Sequence, residues 1–147
     1  MGIVLDSSVL IAAERTGANP RKVIEGIIAS QGDVEAVLSV ITIAELAHGI
    51  VRANSAERRS MRQRFLDELL NEIPVELVTV PVALRAGKID GSLQANGVRV
   101  ALEDLLIGAT ALELGYSVVT HNVRHFRLIP ELQIKQQPQG QEPTESH

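Results

Sequence analysis

The sequence predicts an α/β protein in which a parallel sheet is covered by helices on both faces. Three observations predict it. Short β-branched apolar runs recur along the chain, most are apolar at every position as strands buried on both faces are, and stretches with helical apolar spacing separate them. At 147 residues and 45% hydrophobic content the chain fits one compact domain with a sizeable core, here residues 1–135.

Ile3 to Leu5 is the first strand; Asp6-Ser7-Ser8 ends it and a helix follows over Val9 to Glu14. Gly17, Asn19 and Pro20 mark a turn, with Pro20 opening a second helix to about Ala29 that Gly32-Asp33 breaks. Ala36 to Val40 is the second strand. Thr42 and Glu45 behind it have capping-box spacing, and Ile43, Leu46, Ala47 and Ile50 continue as a helical stripe. Asn54 is the expected N-cap of a helix over Ser55 to Glu72, closed by Pro74. Val75 to Val80 alternates and reads as a third strand, and Pro81 to Leu93 as a helix before the Asn96-Gly97 turn. Glu103 and Asp104 open a buried helix with its stripe at Leu105, Ala109 and Leu112, and Gly115 is placed to end it. Ser117 to Thr120 is the fourth strand and Leu132 to Lys135 the last. Residues 136–147 hold no apolar side chain, which predicts a disordered polar tail.

Composition excludes several functions. Phe65, Tyr116 and Phe126 are the only aromatics, too few to grip single-stranded nucleic acid by stacking. Without cysteine there is neither a disulfide nor a thiolate metal site, which fits a reducing compartment. No apolar run approaches the ~20 residues that span a bilayer, and Asp6 cuts short the only signal-like start, so a cytoplasmic protein with no membrane contact is expected. A net charge of -4 argues against whole-surface binding to nucleic acid. It leaves a local basic face as the route, and Arg52, Arg58, Arg59, Arg62 and Arg64 form the one concentrated basic segment. No Gly-rich phosphate loop is present, so no nucleotide cofactor is expected.

Asp6 and Glu45 each lie just past a strand, at the edge where open α/β sheets keep their ligands, and Asp104 sits in the first turn of a buried helix, where the macrodipole favours its ionised form. Each also has a plainer reading: Asp6 as an N-cap, Glu45 in a capping box, Asp104 as a helix cap. Glu45 and His48 form the Glu-x-x-His pattern of di-metal bundles, but no second copy exists. Gathered within a few ångströms, three carboxylates would repel by about 1 kcal/mol or more per close pair unless a cation intervened. Oxygen-only ligation favours Mg²⁺ or Mn²⁺.

Taken in order, Ile3-Val4-Leu5-Asp6-Ser7-Ser8, Ser39 to Leu46, Asp104 to Ala111, and Thr120-His121-Asn122-Val123-Arg124-His125-Phe126 resemble the PIN-domain ribonucleases of the VapC toxin type. The resemblance covers the chain to about Lys135. It implies a three-layer sandwich around a five-stranded parallel sheet, Mg²⁺- or Mn²⁺-dependent cleavage of RNA, a homodimer, and inhibition by a cognate antitoxin whose basic side chain reaches the acids. By position, Asp6, Glu45 and Asp104 match the family's metal-binding acids, and Ser8, Thr120 and Asn122 its supporting polar positions. One position departs: His125 stands where the family commonly has an aspartate. Histidine can bind Mn²⁺ but brings no negative charge, so the number of ions stays open. Two alternatives also stay open: a weak or inactive protein that binds RNA or antitoxin, and a nuclease acting on DNA.

Overall fold

The computed structural model describes residues 1–137, and the expected polar tail from 138 onward lies outside the described residues. Five parallel strands form one sheet in the order β3-β2-β1-β4-β5: β1 (Gly2–Leu5), β2 (Glu35–Ser39), β3 (Val75–Glu76), β4 (Ser117–Thr120) and β5 (Ile134–Gln136). Between them run α1 (Ser7–Arg15), α2 (Pro20–Gln31), α3 (Val40–Val51), α4 (Ala56–Glu72), α5 (Val80–Ala95), α6 (Leu102–Leu114) and the single turn α7 (Val123–Phe126). Among the described residues no helix is long and apolar enough to cross a membrane.

The strand alternation assigns the two cores. Ile3 and Leu5 of β1 point to one face with Leu38 and Val119, and meet Leu10 of α1, Ile27 of α2 and Leu69 of α4. Val4 points to the other with Val37 and Val118, and meets Val82 of α5, Leu105 and Ala109 of α6, and Phe126 of α7. Each central strand is therefore buried on both sides, and the architecture is the three-layer α/β sandwich that the apolar runs require. Gly108 lets α6 approach closely: a Cβ there would lie 2.8 Å from Ile129 Cδ1.

Several boundaries differ from the sequence reading, three of them at helix starts set by a local capping hydrogen bond and one at the sheet edge, where strand pairing extends β5. β3 keeps only Val75–Glu76, since Thr79 accepts from the Val82 N–H and starts α5 at Val80. α3 begins at Val40, capped by Ser39 Oγ at 3.1 Å from the Ile41 N–H; Thr42 is thus inside the helix and no capping box forms with Glu45. Ser55, not Asn54, caps α4. Gln136, assigned to the tail, pairs with Thr120 as the last residue of β5.

Candidate active site

Sheet order decides where chemistry is placed. From β1 the chain winds outward to β2 and β3 on one side and to β4 and β5 on the other, so the switch point lies between β1 and β4. Asp6 follows β1 there, and Thr120 ends β4 beside it.

Asp6 is 5% exposed and occupies the N-cap position of α1, yet its carboxylate makes no cap hydrogen bond. Its Oδ2 instead accepts from Ser8 Oγ at 2.7 Å and from Thr120 Oγ1 at 2.9 Å. Thr120 Oγ1 accepts in turn from the Asn122 N–H at 2.8 Å, and Ser8 Oγ from the His121 N–H at 3.1 Å. The loop after β4 is thereby tied to the acid after β1. Asn122 contributes its backbone to this network, while the residue itself is exposed.

Glu45 projects from α3, and its Oε2 accepts from Ser7 Oγ at 3.3 Å while its Oε1 is buried without a partner. Burial first, then the charge of Asp6, push its carboxyl from an ordinary 4.5 to about 7; Ser7 opposes this, and Asp104 and Glu103 add to it. Asp104, in the first turn of α6, is pushed from 3.8 to about 6 by burial, against the lowering influence of His125, with Asp6 and Glu103 adding repulsion. Desolvation and like charge thus outweigh the helix dipole in the direction of the shift, although a carboxyl at about 6 is still mostly ionised at neutral pH. Asp104 does not cap its helix either, since α6 starts at an Ala101 N-cap with no side-chain bond. His125 Nδ1 lies 3.5 Å from Asp104 Oδ2, a contact that attracts when the imidazole is protonated.

Folding thus brings Asp6, Glu45 and Asp104 to one edge of the sheet, close enough for each charge to be felt by another. They do not form the tight cluster expected: among the described residues no three His, Asp or Glu side chains converge closely enough to hold an ion. The donor chemistry nevertheless fits a hard divalent cation. Three carboxylates come from three separate elements, two of them are held back from ionising, and one carboxylate oxygen is buried without a partner.

Other candidates separate. Arg58 lies 3.8 Å from the buried Glu14 and Arg62 donates to the Gly49 carbonyl at 2.6 Å, so both brace the helices, whereas Arg52, Arg59 and Arg64 are exposed. His48 is exposed and makes no site with Glu45. Sequence reasoning missed Ser7, the hydroxyl on Glu45, and Glu103, whose charge acts on both raised carboxyls. The Ser7-Ser8 pair directly after Asp6 was the available signal for the first. A cavity of about 140 Å³ opens beside Glu45 between α1, α3 and α4, lined by Ile11, Glu14, Leu46, Arg62, Phe65 and their neighbours.

Comparison with known proteins agrees with this architecture. The Ribonuclease VapC of Rickettsia bellii is 28% identical over 134 residues, covering 91% of this chain and 95% of that protein. Ribonuclease VapC10 of Mycobacterium tuberculosis is 32% identical over 130 residues, covering 88% of this chain and 90% of that one. The solved structure of VapBC-1 from nontypeable Haemophilus influenzae matches with a TM-score of 0.75 at 28% identity, over 92% of this chain and 98% of the other. The PIN domain family model matches residues 3–132, and with a fold and relatives that agree, the chain belongs to the PIN-domain family, alongside ribonucleases of the VapC type.

Proposed function

We propose that the chain is an endoribonuclease toxin that hydrolyses RNA phosphodiester bonds with a divalent cation, acts in the cytoplasm as a homodimer, and is neutralised by a cognate antitoxin. The observation that carries the reading is the placement of Asp6, Glu45 and Asp104 at one edge of the sheet, near enough for each to feel another's charge. The VapC ribonucleases among its relatives, and the VapBC complex it resembles, support the substrate and the partner.

Asp6, Glu45 and Asp104 would hold Mg²⁺ or Mn²⁺, which when bound supplies charge neutralisation and Lewis acidity. Ser8 and Thr120 fix Asp6 by donating to Oδ2, so its rotamer does not change as substrate arrives. Asn122, exposed beside this network, would touch the RNA. Glu45 Oε2 accepts from Ser7 while Oε1 has no partner, so Oε1 is the oxygen that would receive a proton from the attacking water. Water adds to phosphorus, the P–O3′ bond breaks, and the O3′ takes up a proton, leaving a 5′-phosphate and a 3′-hydroxyl.

For the antitoxin, the cavity beside Glu45 pairs an apolar wall with Glu14, whose Oε1 is buried and unpartnered. The apolar wall suits apolar side chains of a partner helix, while Glu14 is already faced by Arg58 and the cavity is also lined by Arg15 and Arg62.

Purified protein incubated with total RNA and Mn²⁺ should produce 5′-phosphorylated fragments, and EDTA or Asp6→Asn should reduce the rate by about 100-fold or more. Cyclic phosphate ends, or undiminished cutting by Asp6→Asn, would overturn the mechanism. A binding protein with little or no activity is the second reading, favoured by His125 standing against Asp104 and by the acids' not converging. RNA retained by the protein but intact at high Mn²⁺ would select it, and cutting a DNA oligonucleotide instead of its RNA counterpart would select a deoxyribonuclease.

A further inference from the structure

The loop after β4 does more than brace Asp6. Between the end of β4, α7 and β5 lies a cavity of about 220 Å³ lined by His121, Asn122, Val123, Arg124, His125 and Gln136. Its volume is several times the roughly 30 Å³ that one water occupies in the liquid. In contrast to the acid cluster, its lining holds a guanidinium and two imidazoles and no carboxylate. Arg124 is exposed and, among the described residues, makes no ion pair, whereas Arg21, Arg58 and Arg85 each face a glutamate. His121, another lining residue, keeps its Nδ1 buried without a hydrogen-bond partner.

The cavity is joined to the acids at two points. The Asn122 N–H donates to Thr120 Oγ1, which donates to Asp6, and His125 lies against Asp104. A strand whose scissile phosphate sat at these acids would have this loop beside it. We propose that the cavity is a phosphate subsite that takes the phosphodiester neighbouring the one being cut, with Arg124 as the principal contact and the side chains of His121 and Asn122 as supporting contacts. The proposal rests on the ribonuclease reading. It adds a positioning contact for the strand, because backbone contacts of this kind set register and orientation without reading sequence.

The test uses the full chain and an RNA oligonucleotide copied from around a bond that the wild type cuts in total RNA. Binding is followed by fluorescence anisotropy in EDTA over a range of salt concentrations. Arg124→Gln should weaken binding by about threefold or more and lower the slope of log affinity against log salt by about 1, while Arg21→Gln on α2 changes neither. Replacing the single linkage beside the cut bond with a neutral methylphosphonate should erase the difference between wild type and Arg124→Gln. An unchanged affinity and salt slope in Arg124→Gln overturns the subsite, as does a difference that survives neutralisation of each flanking linkage in turn. If Arg124→Gln behaves as wild type while RNA is still cut, only the subsite is lost; if the wild type cuts no RNA at all, the ribonuclease reading falls and takes the subsite with it.

Discussion

Asp6 shows how much of a site is set by its neighbours. A carboxylate 5% exposed, on the last residue before a helix, is held by two hydroxyls, Ser8 in the first turn of that helix and Thr120 at the end of β4, rather than by the backbone N–H groups it could cap. Thr120→Val would take one donor from Asp6 and leave the Asn122 N–H without its acceptor, which should cost about 1–3 kcal/mol in urea unfolding, with Thr120→Ser restoring most of it. Glu45 makes a second prediction. In the metal-free protein its folded carboxyl binds a proton more tightly than in the unfolded chain, so protonation favours the fold. Its destabilising effect is absent below about 4.5, grows as pH rises, and is complete above about 7. The melting temperature of Glu45→Gln should therefore pull ahead of wild type across that window; a constant difference from acid to neutral pH would reject the raised carboxyl. At this scale residue types and their positions are legible along the chain. It could not give the sign of the Asp104 shift, since that depends on burial and on charges contributed by Asp6 and Glu103 from elsewhere in the chain or the turn.

Helix ends were legible where the capping chemistry is local. Asn19 accepts from the Lys22 N–H ahead of Pro20, and Gly115 ends α6 at φ 71°, a backbone region that costs residues with a Cβ. Gly115→Ala should lower stability by roughly 1–2 kcal/mol in chemical denaturation while leaving RNA binding unaltered. The errors fall where two local signals compete. Val75 to Val80 alternates like a strand, yet Thr79 and Pro81 are also a helix start, and the capping hydrogen bond prevails once the chain leaves the sheet edge. Thr42 and Glu45 have the spacing of a capping box, but Ser39, three residues earlier, already satisfies a helix N–H. Freed from that duty, Glu45 can turn toward Ser7 and Asp6.

For the molecule as a whole, the sheet order β3-β2-β1-β4-β5 places acids from opposite ends of the chain at one edge. Like charge gathered there is a standing cost that a divalent cation would relieve. Mn²⁺ at about 100 times its dissociation constant should stabilise the fold by about 2.7 kcal/mol, seen as a rise in melting temperature. The rise should vanish in Asp6→Asn; an equal rise in that variant would place the ion elsewhere. The α5 to α7 layer enters the same accounting, because Phe126 and Leu105 anchor the elements that carry His125 and Asp104.

By itself the sequence determined the layers, the strands that are buried twice, and the identity of the acids, because alternation, helical period and residue chemistry are written along the chain. Only the tertiary structure decided that Asp6 is held by Ser8 and Thr120, that Glu45 and Asp104 resist ionisation, and that a basic cavity stands next to them. Those outcomes depend on distances between residues up to 114 positions apart and on how much water folding removes, and neither is a property of any local stretch.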